Sequence, residues 1–326
     1  MINAVKTYIG KEKARLTKDA QSLLVAVFRA AVIIGVSYVI ISPIVGIFAR
    51  SLYSDSDVYS PVIYLIPIAP TFERYITAMR VLDYLPTLVR LMGYVLSVTV
   101  IQTAVCSLVG YGFARFDIPF KKLFFAMVII TIVIPPQNLI LPLYVTFRSF
   151  DPLGLVSLFS GGAVNMLKSV TPMYIMSLFG CGLRSGLFIY IYIQFFRGLP
   201  KEIEDAALVD GAGRIGTYFK VMLPNAMPAV VTVAIFSIVW QYNDTFYSNV
   251  FLMPENVIMG KGISTLAYSV TQMLWTGKGA ANVTDPSVAT LYSYAGVVLM
   301  ILPVMLMYAV LQKRFIEGVE RSGIVG

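Results

Sequence analysis

Three sets of residues have the types and spacing to do chemistry or mechanical work. The first lies in the polar stretch Arg197–Pro224, between two apolar runs. Pro200 suits the first turn of a helix, and Glu202, Glu204 and Asp205 complement the positive pole of a helix N-terminus. Ala206, Ala207 and Leu208 continue that helix, and Gly211 and Gly213 give the backbone freedom to turn. Arg214–Met222 form a second short helix, which Pro224 stops. The spacing predicts a helix–turn–helix elbow with small residues at its tip. Such a tip lets a helix face lie in another protein's groove; by spacing alone it also describes a plain surface connector.

The second set surrounds Asp244, which ends the uncharged run Val221–Asn243. Trp240, Tyr242, Asn243 and Tyr247 flank it, and aromatics mixed with amides can stack on sugar C–H faces and hydrogen-bond sugar hydroxyls. The same residues also describe an aromatic belt at a membrane interface. The third is Arg184, a single cation interrupting an apolar segment. It either pairs with a carboxylate, lines a wet path for an acidic sugar, or tethers the fold. Beside it, Gly180, Gly182 and Gly186 have the spacing for close helix packing.

Composition sets the frame for these residues. Of 326 residues, 58% are hydrophobic and 13% charged, where a soluble domain has about 25% charged. Mean hydropathy is +0.78. So apolar a chain cannot cover itself with polar surface, which excludes a disordered or an ordinary water-soluble protein. Histidine is absent, removing the commonest general base and metal ligand. Cys106 and Cys181 both lie in apolar stretches and are expected to be small core hydrophobes, with no disulfide and no metal site. The net charge of +8 is dispersed rather than striped, so no nucleic-acid partner is expected.

A helix crossing about 30 Å of hydrocarbon needs roughly 20 residues with few charges. The uncharged windows Ala30–Ala49, Leu91–Ala114, Leu123–Phe147, Val221–Asn243 and Pro286–Gln312 each meet that length. A sixth crossing, between Ser169 and Phe196, is interrupted only by Arg184. Pro135, Pro136 and Pro142 should break the third. The basic residues before Ala30 precede a long apolar stretch with no small-residue cleavage site, so the first helix is expected to stay as an anchor. Six crossings put both termini on one side, which then holds 16 of the 25 Lys and Arg, and the positive-inside bias makes that side cytoplasmic. The outer segments Arg50–Arg90 and Phe251–Asp285 are expected to be folded loops with short helices.

The polar loop resembles the EAA motif of ABC-importer permeases. That pattern runs E-A-A, three residues, Gly, nine residues, Ile, one residue, Leu-Pro. Here it reads Asp205-Ala206-Ala207, then Gly211, then Val221-Met222-Leu223-Pro224, with Asp replacing Glu and Val replacing Ile, and Glu204 placed to share the role of Asp205. Phe195–Pro200, Asp210-Gly211 and the terminal run Arg314–Gly326 are similar to the carbohydrate branch, to which the maltose-transporter permease belongs. The resemblance begins near residue 85. It implies a membrane subunit paired with a second permease subunit, two cytoplasmic ABC ATPase subunits and an external solute-binding protein. Glu204, Asp205, Ala206, Ala207, Asp210, Gly211, Leu223 and Pro224 would then form the coupling elbow in the ATPase cleft.

No G-x-x-x-x-G-K-[ST] phosphate loop is present; Gly260-Lys261-Gly262 lacks its spacing. The chain is therefore expected to hold no cofactor and to be no enzyme, with ATP and Mg used by the partner ATPases. The expected fold is an all-α integral membrane protein of six transmembrane helices with a cytoplasmic coupling elbow and external loops. Its divisions would be an N-terminal cytoplasmic segment 1–29, a permease domain 30–312 with the elbow at 200–224, and a cytoplasmic tail 313–326. The rival is an ion- or proton-coupled secondary carrier, which should carry relay carboxylates and inverted repeats. The sequence offers one candidate carboxylate, Asp244, and no repeat.

Overall fold

A computed structural model describes the backbone at residues 2–60, 66–252, 262, 265–270, 272 and 285–323, and side chains within these at 21–310 and 312. The regular elements among the described residues are helices, with one isolated β-bridge between Phe150 and Val164. The chain divides into two compact units, Met1–Arg74 and Tyr75–Gly326.

The first unit is dominated by α1 (Ile2–Ser51), which runs unbroken across the 29/30 division. Leu24, Phe28, Ile34 and Val39 on it are exposed, as an apolar helix surrounded by lipid would be. After it, α2 (Asp55–Val58) is closed by the Asp57 carboxylate, which accepts from the Ser54 N–H at 2.9 Å. Buried Arg74 ties this corner together, donating to the Tyr53 carbonyl and the Asp55 carboxylate.

After α3 (Glu73–Val81), the second unit is built on α4 (Tyr84–Arg115). Next come α5 (Lys121–Val133), α6 (Ile140–Arg148), α7 (Leu155–Ser160), α8 (Thr171–Leu178) and α9 (Ser185–Gly198). The elbow holds α10 (Lys201–Val209), α11 (Arg214–Thr217), a π-turn at Tyr218–Met222 and α12 (Leu223–Asn225). Last are α13 (Met227–Tyr242) and α14 (Pro286–Gly323), which continues past residue 313. Most of the second outer segment lies outside the described residues.

Three helical stretches are long and apolar enough to cross a membrane: Gln21–Ser51, Tyr84–Arg115 and Pro286–Val310. Two bent pairs raise the number to five. Lys121–Val133 and Pro136–Arg148 meet at 104°, as Pro135-Pro136 leads one to expect. Arg214–Asn225 and Met227–Tyr242 meet at 76°. The segment taken as the sixth crossing is two helices of 8 and 14 residues, parted at Phe179–Arg184, each too short to cross alone. That break also corrects the expectation for Cys181: it is exposed there, whereas Cys106 is buried. Pro224 does not stop the elbow's second half. The π-turn shifts the ladder so that the Leu223 N–H donates five residues back, and the chain stays helical through Pro224 to Asn225 before breaking at Ala226.

In the second unit α4 packs against α9 and α13, and α13 against α14. Gly110 makes the first contact: a Cβ there would collide with Tyr192 Cβ and come within 3.3 Å of the Ile189 carbonyl. Gly186 does the same for α9 against α5, meeting Thr131, so the glycine spacing around Arg184 is used for close packing. Where helices break or carry proline, side chains complete the backbone. Pro303 cannot donate to the Leu299 carbonyl four residues back, and the Tyr84 hydroxyl does so at 2.8 Å. Fully buried Gln102 donates to the Leu183 carbonyl in the α8–α9 break at 2.6 Å and to Ser185 Oγ at 2.8 Å. Its own amide oxygen accepts from Ser237 Oγ of α13 at 2.8 Å.

Two outcomes follow. Gly110→Ala should separate α4 from α9 and cost about 1–3 kcal/mol, while Gly112→Ala, with nothing within 4 Å of the added Cβ, should be neutral. Gln102→Leu should cost about 1–3 kcal/mol by orphaning buried polar groups. Thermal unfolding in detergent measures both.

Candidate functional site

The elbow has a tied base and a free tip. At the base, Glu204 Oε1 accepts from the Tyr111 hydroxyl at 2.7 Å, and its Oε2 lies 3.3 Å from Arg115 Nε. The second approach is an ion pair by distance rather than an aligned hydrogen bond, since Arg115 Nε makes no hydrogen bond of its own. Arg115 also donates to the Leu199 carbonyl at 2.6 Å, which ends α9. Both charged side chains are largely buried. Around them Tyr111 packs on Phe116, Phe196 and Tyr218, and the Tyr218 hydroxyl is 2.6 Å from Ser107 Oγ on α4. Charge, aromatic packing and hydrogen bonds thus fasten the elbow to the end of α4.

At the tip, Gly211 has φ +84°, a left-handed conformation that glycine adopts without penalty. The Ala212 N–H donates to the Ala207 carbonyl at 3.0 Å and the Gly211 N–H to Leu208 at 3.1 Å. This is a Schellman cap closing α10. Beyond it an apolar face stands open: Val209 is 87% and Ile215 76% exposed.

The residues read from the sequence divide between base and tip. Asp205, Ala206, Asp210 and Gly211 are exposed, Ala207 is buried, and Glu204 turns inward. Leu223 packs against the core cluster around Tyr192, and Pro224 is exposed. Sequence reasoning does not single out Tyr111, Arg115 or Tyr218 as elbow residues; the place of Arg115 at the end of the uncharged run Leu91–Ala114 is the signal that points to it.

The second candidate group is not one open sugar site. Asp244, 9% exposed, accepts from the backbone N–H groups of Phe246, Tyr247 and Ser248 and from Ser248 Oγ at 3.0–3.2 Å. Its carboxylate closes a helical turn. Tyr242 is buried and donates to the Met300 carbonyl at 2.9 Å; Tyr247 is buried and stacked on Phe251. Asn243 is exposed and donates to the Val239 carbonyl. Trp240 is half-buried between Phe188 and Phe236, with the Arg184 guanidinium 5.5 Å above its ring. No cluster of metal-binding side chains occurs among the described residues.

Residues 106–320 match the family described as binding-protein-dependent transport system inner membrane component. The chain belongs to this family. It is a multi-pass membrane transport component and not an enzyme. Family membership also decides against a carrier working alone.

Among relatives, the diacetylchitobiose uptake system permease protein NgcG of Streptomyces coelicolor is 25% identical over 95% of this chain and 92% of its own length. The trehalose transport system permease protein SugB of Mycobacterium tuberculosis is 26% identical over 87% and 92%. Among solved structures, a bacterial ABC transporter involved in import of the acidic polysaccharide alginate aligns with TM-score 0.58. It shares 21% identity and covers 88% of this chain and 95% of the matched one, a likeness of fold.

For this permease, Glu204→Ala should lower stability by about 3 kcal/mol, the low end for breaking a buried ion pair, because Arg115 keeps the Leu199 carbonyl. Tyr111→Phe should cost less, about 1.5 kcal/mol for one hydrogen bond to a charge. Unfolding of both variants at the wild-type temperature would show that the base is not fastened through Glu204.

Proposed function

We propose that this permease is one of two membrane subunits of an ATP-driven oligosaccharide importer of the bacterial inner membrane, with both termini in the cytoplasm. A solute-binding protein delivers sugar outside. Two ABC ATPase subunits, using ATP and Mg, close inside. The exposed Val209–Ile215 tip on its fastened base carries this reading. An apolar lever end suits the groove of a cytoplasmic partner, and Glu204, Arg115 and Tyr111 transmit its displacement into α4. The sugar class rests on the relatives named for diacetylchitobiose and trehalose transport. Alternating access then follows: the ATPases move the elbow at 200–224, and α4 carries that motion to the helices packed on it. In this assembly the exposed α1 belongs against lipid or the second permease subunit.

The test is substitution at Gly211, where an added Cβ meets nothing inside this chain. Gly211→Val should abolish sugar uptake and sugar-stimulated ATP hydrolysis in proteoliposomes of the whole complex, with membrane insertion intact. Gly211→Asn tolerates the left-handed backbone, so it separates the two roles of this glycine. If docking needs the open space, Asn fails as Val does. If Asn restores uptake, the glycine serves only the local turn.

A further inference from the structure

Arg184 remains without a role in the elbow or the core, and its surroundings are specific. It sits in the α8–α9 break with φ +61° and is exposed. From there α9 runs 14 residues to the elbow, about 21 Å at about 1.5 Å per residue. With the elbow at the cytoplasmic face of a membrane about 30 Å thick and α9 along the membrane normal, the guanidinium would lie within the hydrocarbon depth. A cation there costs at least about 2.5 kcal/mol against lipid, so its open side faces water or protein.

Among the described residues no carboxylate lies at ion-pair distance from Arg184. Asp244 accepts from the backbone turn at 246–248 and forms no ion pair with Arg184. Trp240 instead supports the guanidinium from below and is itself held between Phe188 and Phe236. An indole in that position stabilises a cation while leaving its N–H donors free. It is thereby a platform for the arginine rather than for a pyranose.

Resting on the oligosaccharide-importer reading, we infer that Arg184, seated on Trp240, is an anion-binding point in the solute path and selects acidic oligosaccharides, sugars bearing a carboxylate. The planar guanidinium donates two parallel hydrogen bonds to a carboxylate, a geometry that lysine does not reproduce. Neutral sugars gain nothing from it.

The experiment uses the complete importer with its binding protein in proteoliposomes, offered uronate oligosaccharides and the same oligomers with their carboxyls reduced to alcohols. Wild type should take up the acidic set preferentially. Arg184→Gln should raise the KM for that set about tenfold, the value of one lost charge-assisted hydrogen bond, and leave the reduced set unchanged. Arg184→Lys should recover part of the loss. Trp240→Leu should weaken acidic uptake in the same direction.

Equal loss for both sugar sets, preference for the reduced set, or failure of Arg184→Gln to co-purify with the second permease subunit would each overturn the inference. The last outcome would make Arg184 an intersubunit tether. ATP-driven uptake of the acidic oligosaccharides that is indifferent to Arg184 would sink this inference alone. Absence of any ATP-driven sugar uptake would instead sink the importer reading beneath it.

Discussion

Hydrocarbon offers no water to a broken backbone, and this chain breaks its apolar segments at residues 134–136, 179–184 and 226. Each freed carbonyl or N–H must find a partner inside the protein. Gln102 answers the second break by bonding the Leu183 carbonyl and Ser185 on one side and Ser237 on the other. Tyr84 performs the same service for the carbonyl that Pro303 leaves open. The Ala226 N–H, at the third break, is shared between the Met222 and Leu223 carbonyls. The break at 179–184 can fall where it does because α4 carries Gln102 opposite it.

This arrangement gives α4 its central place. Its middle holds Gln102 and its end holds Tyr111 and Arg115, which grip the elbow through Glu204. The thirteen residue steps from Gln102 to Arg115 span about 20 Å. Gly110, between them, lets α9 approach until backbone meets side-chain root. A rigid helix, closely packed and charged at one end, passes displacement along its length with little loss, because packed interiors resist compression. The elbow itself is the converse: a nine-residue helix closed by a left-handed glycine, with an apolar face that the permease does not cover.

The polar groups near Trp240 illustrate how burial reassigns chemistry. An aspartate after a long apolar run has the composition of a sugar ligand, yet Asp244 is consumed by three backbone N–H groups. Arg184 shows the opposite. It is exposed, held by an aromatic face and free of any carboxylate among the described residues. Its charge stays available because no carboxylate among the described residues lies within ion-pair distance.

Much of this was legible in the chain itself. Uncharged run lengths mark α1, α4 and α14 as spans, since hydrocarbon thickness sets the count of apolar residues directly. Pro135-Pro136 marks the 104° bend, and Gly211 the elbow turn, because proline and glycine act through their own dihedral limits. Tertiary structure alone decided the rest. Glu202, Glu204 and Asp205 are equivalent by propensity, but only Glu204 faces Arg115, because the phase of α10 against α4 depends on how the two helices dock. Gln102 joins residues more than eighty positions away, and Arg184 finds Trp240 fifty-six positions on. Helical periodicity states which residues share a face; which face meets which is settled only when the helices pack.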